Sequence, residues 1–146
     1  MKKPLLFLIL TVILNSCHFS TRYVNRESDR QDAEKETNDL FEYIKKSAFE
    51  EATELFEPEF YKETSKDELI KIFEHTENKL GALKTLELGD WHTDVSEGAI
   101  PHGFYTLNYK GVFEYGDAKL RLNLTKNENG VIKVSGYFIN SNAFFN

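Results

Sequence analysis

Side chains able to move protons gather in one stretch of this chain. Asp90, His92 and Asp94 alternate along Asp90-Trp-His-Thr-Asp-Val95, and His102 returns after the polar loop 96–103. On a regular strand residues two apart share a face, so His92 and Asp94 lie side by side, and the loop can bring His102 back beside them. Imidazole and carboxylate together are the parts of general acid–base catalysis, with Tyr105 and Tyr109 as hydroxyl donors. Such a site works when an apolar pocket moves a pKa toward the working pH. The phase of the strand opposes this. Trp91 and Val95 take the inward face, which turns His92 and Asp94 outward. No catalytic residue is therefore assigned, and Asp90, His92 and His102 stand as the candidates to test. Two imidazoles and a carboxylate also suit zinc, but their spacing matches no known ligand pattern, so no metal is expected. His75 shares a helix face with Lys71, Glu74 and Glu77 and reads as solvent-exposed.

Other chemistries are excluded more simply. The chain has no glycine-rich phosphate loop, no Gly-x-Ser-x-Gly elbow and no His-Glu-x-x-His helix, so no cofactor is expected. Its 18 basic and 24 acidic residues give a net charge of −6, the wrong sign for a nucleic-acid partner. A single cysteine forms neither an internal disulfide nor a cysteine-rich zinc site. Aromatic residues, at 14% of the chain, supply a core without staples. Tyr105, Leu107, Tyr109, Phe113 and Tyr115 alternate onto one strand face, with Tyr137 and Phe138 nearby. Tyr105, Tyr109, Phe113 and Tyr137 are candidate ligand-binding residues, and the alternative is that they pack as ordinary core. Phe144 and Phe145 are expected to dock on the domain or to join a dimer contact.

The elements that position these residues follow from periodicity. Residues 17–30 are polar and aperiodic and read as a tether. Ala33, Thr37, Leu40, Phe41, Ile44 and Ala48 then recur at helical spacing. Ser47-Ala-Phe-Glu50 has the form of a capping box opening a second helix, with Phe49, Ala52 and Phe56 inward and Pro58 as its end. Ser65-Lys-Asp-Glu68 is another, opening a helix with Leu69, Ile70, Phe73 and Leu80 inward and Gly81 as its stop. After Gly81 the period becomes two. Strands are expected over 83–95, with an irregularity at Gly89-Asp90, and over 104–115, followed by a hairpin at Gly116-Asp117. The third strand carries Leu120, Leu122 and Leu124, and the fourth runs over 131–139, with a bulge at Ser135-Gly136. The expected class is α+β, three N-terminal helices packed on a four-stranded antiparallel sheet.

The first residues carry a different message. Lys2 and Lys3 precede the apolar run Leu5–Leu14, which is too short to span a bilayer and fits a secretory leader. Leu14-Asn15-Ser16-Cys17 resembles the lipobox of bacterial lipoproteins. That resemblance implies cleavage before Cys17 and acylation of its thiol, a palmitate-type anchor in a cell envelope. Residues 1–16 are then leader, 17–30 tether and 31–146 domain. The mature chain would carry 16 basic and 24 acidic side chains, a charge of −8, so its contact with an anionic bilayer is the lipid alone. His18, rather than Asp, after the cysteine implies the periplasmic face of the outer membrane where the host has one.

Phe49-Glu-Glu-Ala-Thr-Glu-Leu-Phe56, the Ser65-to-Gly81 helix ending Lys79-Leu-Gly81, and Val134-Ser-Gly-Tyr-Phe-Ile139 resemble the nuclear-transport-factor-2-like, or cystatin-like, superfamily over residues 31–146. This implies a curved, cone-like sheet, and a kinship with small lipoproteins of unknown function built on it. The expected role is non-catalytic binding of an envelope protein partner or small apolar ligand. A small acid–base enzyme and a structural homodimer are the alternatives.

Overall fold

In the computed structural model, which describes residues 19–145, the chain folds as β1 (Ser20–Val24), α1 (Glu27–Lys45), α2 (Phe49–Thr53), α3 (Lys66–Leu80), β2 (Leu83–Gly98), β3 (His102–Phe113), β4 (Gly116–Lys126) and β5 (Ile132–Asn140). A short 3₁₀ turn at Phe60–Lys62 precedes α3, and another at Asn142–Phe145 follows β5. The five strands form one open antiparallel sheet in the order β1-β2-β3-β4-β5. Fold class and helix count agree with the periodicity; the strand count does not.

The extra strand is β1, which lies within the segment read as tether. Ser20 pairs with Gly98 and Val24 with Asp94. Five residues on a sheet edge, half-buried on one side only, are too few for alternation to stand out, although Thr21, Tyr23 and Val24 are good strand formers. Asn25 ends the strand at φ 54°. Its N–H donates to Thr93 O at 2.8 Å and its Oδ1 accepts from Thr93 N–H at 3.0 Å. Asparagine tolerates this left-handed backbone, and the bend sends the chain into α1.

Ser47 also differs from expectation, because it does not cap α2. Ala48 N–H reaches back to Tyr43 O at 2.9 Å and Ser47 N–H to Ile44 O at 3.0 Å, closing α1 with Ser47 left-handed at φ 52°. Its hydroxyl donates to Glu77 Oε1 at 2.6 Å. The capping box at α3 does form: Ser65 N–H donates to Glu68 Oε2 at 2.8 Å, and Glu68 N–H donates to Ser65 Oγ at 3.3 Å. Ser65→Ala should cost about 1 kcal/mol in urea unfolding, and no measurable loss would mean that α3 starts elsewhere. Gly81 stops α3 at φ 72°, where a Cβ would lie 2.7 Å from Glu114 Cβ.

The helices cover one face of the sheet. Ala33, Leu40 and Phe41 of α1 and Leu69, Phe73 and Leu80 of α3 are buried over Leu107, Leu120, Leu122, Leu124 and Val134; Ile70 is only half-buried. The irregularity near Gly89-Asp90 is a register shift between Leu88 and Trp91, and Ser135 is the bulged residue of β5. The β3–β4 hairpin is displaced from its expected place. Phe113 pairs with Gly116, so Glu114 and Tyr115 form the turn, held by Glu114 N–H to Ala82 O (3.0 Å) and Tyr115 N–H to Leu80 O (2.8 Å). Tyr115 thus leaves the aromatic face and is exposed.

Candidate functional site

The outer face of the sheet, away from the helices, carries the polar candidates. The strand phase holds: Thr93 and Val95 are buried, Trp91 is partly buried, His92 is exposed and Asp94 half-buried. Asp94 is the centre of this group. Arg22 of β1 grips its carboxylate with two hydrogen bonds, one from Nε to Oδ1 at 2.7 Å and one from Nη2 to Oδ2. Those bonds hold the Asp94 carboxyl below its ordinary range against a desolvation that opposes them, and the charges of Arg22, His92 and His102 add to the effect. A carboxylate so committed is a poor proton acceptor. Asp90 lies at the β2 bulge, where its carbonyl accepts from Asn108 Nδ2 at 3.1 Å. His102 is exposed, bonded locally to Ile100 O at 3.3 Å, with its ring edge toward Phe104. The fold brings His92 and His102 near Asp94, but in solvent rather than in a pocket. Among the described residues no group of three or more His, Cys, Asp or Glu is arranged to hold a metal.

The aromatic candidates lie on the opposite, covered face. Tyr105, Tyr109 and Phe113 are buried and Tyr137 is half-buried. Tyr109 donates to or accepts from Thr37 Oγ1 at 2.6 Å and meets the edge of Phe41 at 5.3 Å. Burial pushes its phenol up to about 12. The space between Phe113, Tyr137 and α3 is about 10 Å³, room for one water at most and none for an organic ligand. Cys17 lies outside the described residues. Phe144 is half-buried against His75 of α3, 5.7 Å between ring centres, whereas Phe145 is exposed.

Sequence reasoning missed a polar cluster around the buried Asp29 where β1 joins α1. Arg26 donates from Nε to Asp29 Oδ2 at 2.9 Å and from Nη2 to Asp29 Oδ1 at 2.6 Å, and also reaches Glu97 of β2. Its guanidinium lies 3.9 Å from the centre of the Tyr23 ring. The three-residue spacing of Arg26 and Asp29 was the available signal. Glu97 is held below the ordinary carboxylate range by its hydrogen bond from Arg26. Glu97 and Asp94 therefore contribute to holding β1 at neutral pH, and that contribution is lost as pH falls through their lowered range. Exchange protection of the β1 amides should fall below about pH 4 before that of β4 does; simultaneous loss would contradict the assignment.

Deeper still, Thr93 Oγ1 and Tyr105 Oη are buried without a hydrogen-bond partner among the described residues. Thr93 and Tyr105 are cross-strand partners, and burial pushes the Tyr105 phenol well up. Unsatisfied buried hydroxyls destabilise, so Tyr105→Phe with Thr93→Val should raise stability by about 1–2 kcal/mol, while Tyr109→Phe should lower it by about 1 kcal/mol. Equal effects from the two tyrosines in thermal unfolding would contradict the geometry.

Helices on one face of an antiparallel meander, with a packed interior between them, define an α+β domain. The chain belongs to the family described as "Protein of unknown function (DUF3887)", matched over residues 38–132. That span runs from within α1 to the first residue of β5, leaving β1 and the rest of β5 outside it. No curated protein matches the chain.

Proposed function

We propose that this is a lipid-anchored protein of the bacterial envelope whose domain has a non-catalytic binding or accessory role, engaging a partner protein or small apolar ligand. The leader and Cys17 carry the anchor in this reading, at the periplasmic face of the outer membrane where one exists. The sheet and helices are a variant of the nuclear-transport-factor-2-like cone. The observation that carries the binding reading is the filling of the inner sheet face by the protein's own side chains. Tyr105, Leu107 and Tyr109 are 2%, 0% and 6% exposed, whereas the grooves of ligand size among the described residues open to solvent. No helix among the described residues is long and apolar enough to cross a membrane.

The test has two arms. Expressed in a bacterial host, the native chain should begin at an acylated Cys17 by mass spectrometry and fractionate with membranes, and Cys17→Ser should abolish both. A native chain with an unmodified thiol in the soluble fraction overturns the anchor. Cross-linking in intact cells should then trap an envelope partner equally well with Asp90, His92 and His102 replaced together by alanine. A turnover activity lost in that triple variant would move the function to acid–base catalysis.

A further inference from the structure

The last strand of the sheet is only partly protected. At its start, Val134 N–H donates to Leu55 O at 3.0 Å and Glu57 N–H donates to Val134 O at 2.9 Å, a parallel bridge formed by the segment after α2. Pro58 then turns the chain away, and beyond the bulge at Ser135 no strand among the described residues lies on the far edge of β5. The remaining stretch, Gly136-Tyr-Phe-Ile-Asn140, has no charged side chain. Unpaired N–H and C=O groups on such an edge are a template for another strand, and edges are usually blunted with charge, proline or bulges. Here those devices stop at Ser135.

Beside this edge runs a groove of about 400 Å³. Its apolar lining includes Phe60, Leu69, Ile72 and Phe138, of which Ile72 and Phe138 are 39% and 57% exposed. Its charged lining is entirely acidic: Glu57, Glu59 and Glu63. Glu57 accepts from Thr125, Glu59 pairs with the neighbouring Lys62, and Glu63 has no ion-pair partner among the described residues. A second copy of the chain would bring the same acids against these, and an anionic lipid surface would be repelled. An extended segment alternating apolar and basic side chains meets all three features, pairing with the edge, filling the groove and neutralising its rim.

We propose that the free edge of β5 takes up an extended, basic peptide segment of a partner protein as an added strand, its basic side chains facing Glu59 and Glu63. This rests on the partner-binding reading above and names the surface and the partner's chemistry. The family match covers the acidic and helical side of the groove but stops at the first residue of β5, so the strand edge itself lies outside it.

The experiment uses the full chain in non-ionic detergent and a capped ten-residue peptide alternating valine and lysine, with a valine–glutamate peptide as control. Saturable binding is expected for the lysine peptide alone, with slowed exchange and shifted amide resonances at Gly136–Asn140. Glu59→Gln with Glu63→Gln should weaken it about tenfold. Phe138→Lys, a change at an exposed position opposite Arg121, should do the same while lowering the unfolding midpoint only slightly and leaving the protein folded. Absence of binding, or binding that leaves residues 136–140 unprotected, overturns the proposal. An envelope partner still trapped by cross-linking in cells carrying Phe138→Lys would show that the partner-binding reading survives while this surface does not.

Discussion

Phe73→Ala should cost about 4 kcal/mol of folding stability, the largest loss expected from any single change described for this protein. Phe73 is 1% exposed and sits where α2, α3 and β5 meet. Its ring lies 5.7 Å from Phe49, 6.5 Å from Phe56 and 5.3 Å from Tyr137, the last nearly edge-on at 86°. Truncation removes the transfer energy of the ring, leaves a cavity, and breaks aromatic contacts worth about 0.5–1.5 kcal/mol each beyond their area. Domains of this size have about 5–15 kcal/mol in all, so the variant should be unfolded at a much lower urea concentration. Phe73→Leu, which keeps most of the volume, should cost about 1–2 kcal/mol. A loss below about 1 kcal/mol for alanine would mean that α3 does not pack on β5 as described.

Arg26→Met should cost about 3 kcal/mol for a different reason. Asp29 is 1% exposed and its carboxylate depends on the Arg26 fork for both oxygens. Hydrogen bonds to Asp29 and Glu97 in turn hold the guanidinium more firmly protonated than usual. Removing the cation leaves a buried charge unpaired, which costs far more than the intact pair contributes. The double variant Arg26→Met with Asp29→Leu should recover most of the loss, because neither charge is then stranded. If it is as unstable as the single variant, the cluster matters through packing on Tyr23 rather than through charge. Urea unfolding of the three proteins decides between these, and β1 exchange reports whether the damage is local.

The two predictions differ in how far the sequence foreshadows them. Phe73 belongs to a helical stripe, Leu69, Phe73, Leu80, that repeats often enough to be read without a structure. The capping box at Ser65 was equally plain, because both of its hydrogen bonds are local. Ser47-Ala-Phe-Glu50 has the same spacing and makes neither bond. There the chain instead closes α1 through Tyr43 and Ile44, and Glu77, distant in sequence, takes the serine hydroxyl. β1 was missed because an edge strand of five residues has no second face to bury and so shows little alternation. The hairpin slipped because Leu80 and Ala82 hold Glu114 and Tyr115, contacts that no local turn preference contains.

For the site, strand phase by itself determined that His92 and Asp94 face away from the core, since alternation with Thr93 and Val95 is a property of the backbone. The switch of hydrophobic period from helix to strand determined the α+β class, and composition an apolar core rich in Phe and Tyr. Only the tertiary structure decided that Arg22 engages Asp94, that Arg26 joins α1 to β2, and that Tyr105 keeps an unpaired hydroxyl. It alone decided that the edge of β5 is left open beside an acidic groove. Periodicity and capping depend on neighbours within a few residues, and the chain carries them wherever it goes. Pairings across about seventy positions, such as Arg22 with Asp94, exist only once loops have closed and strands have taken their register.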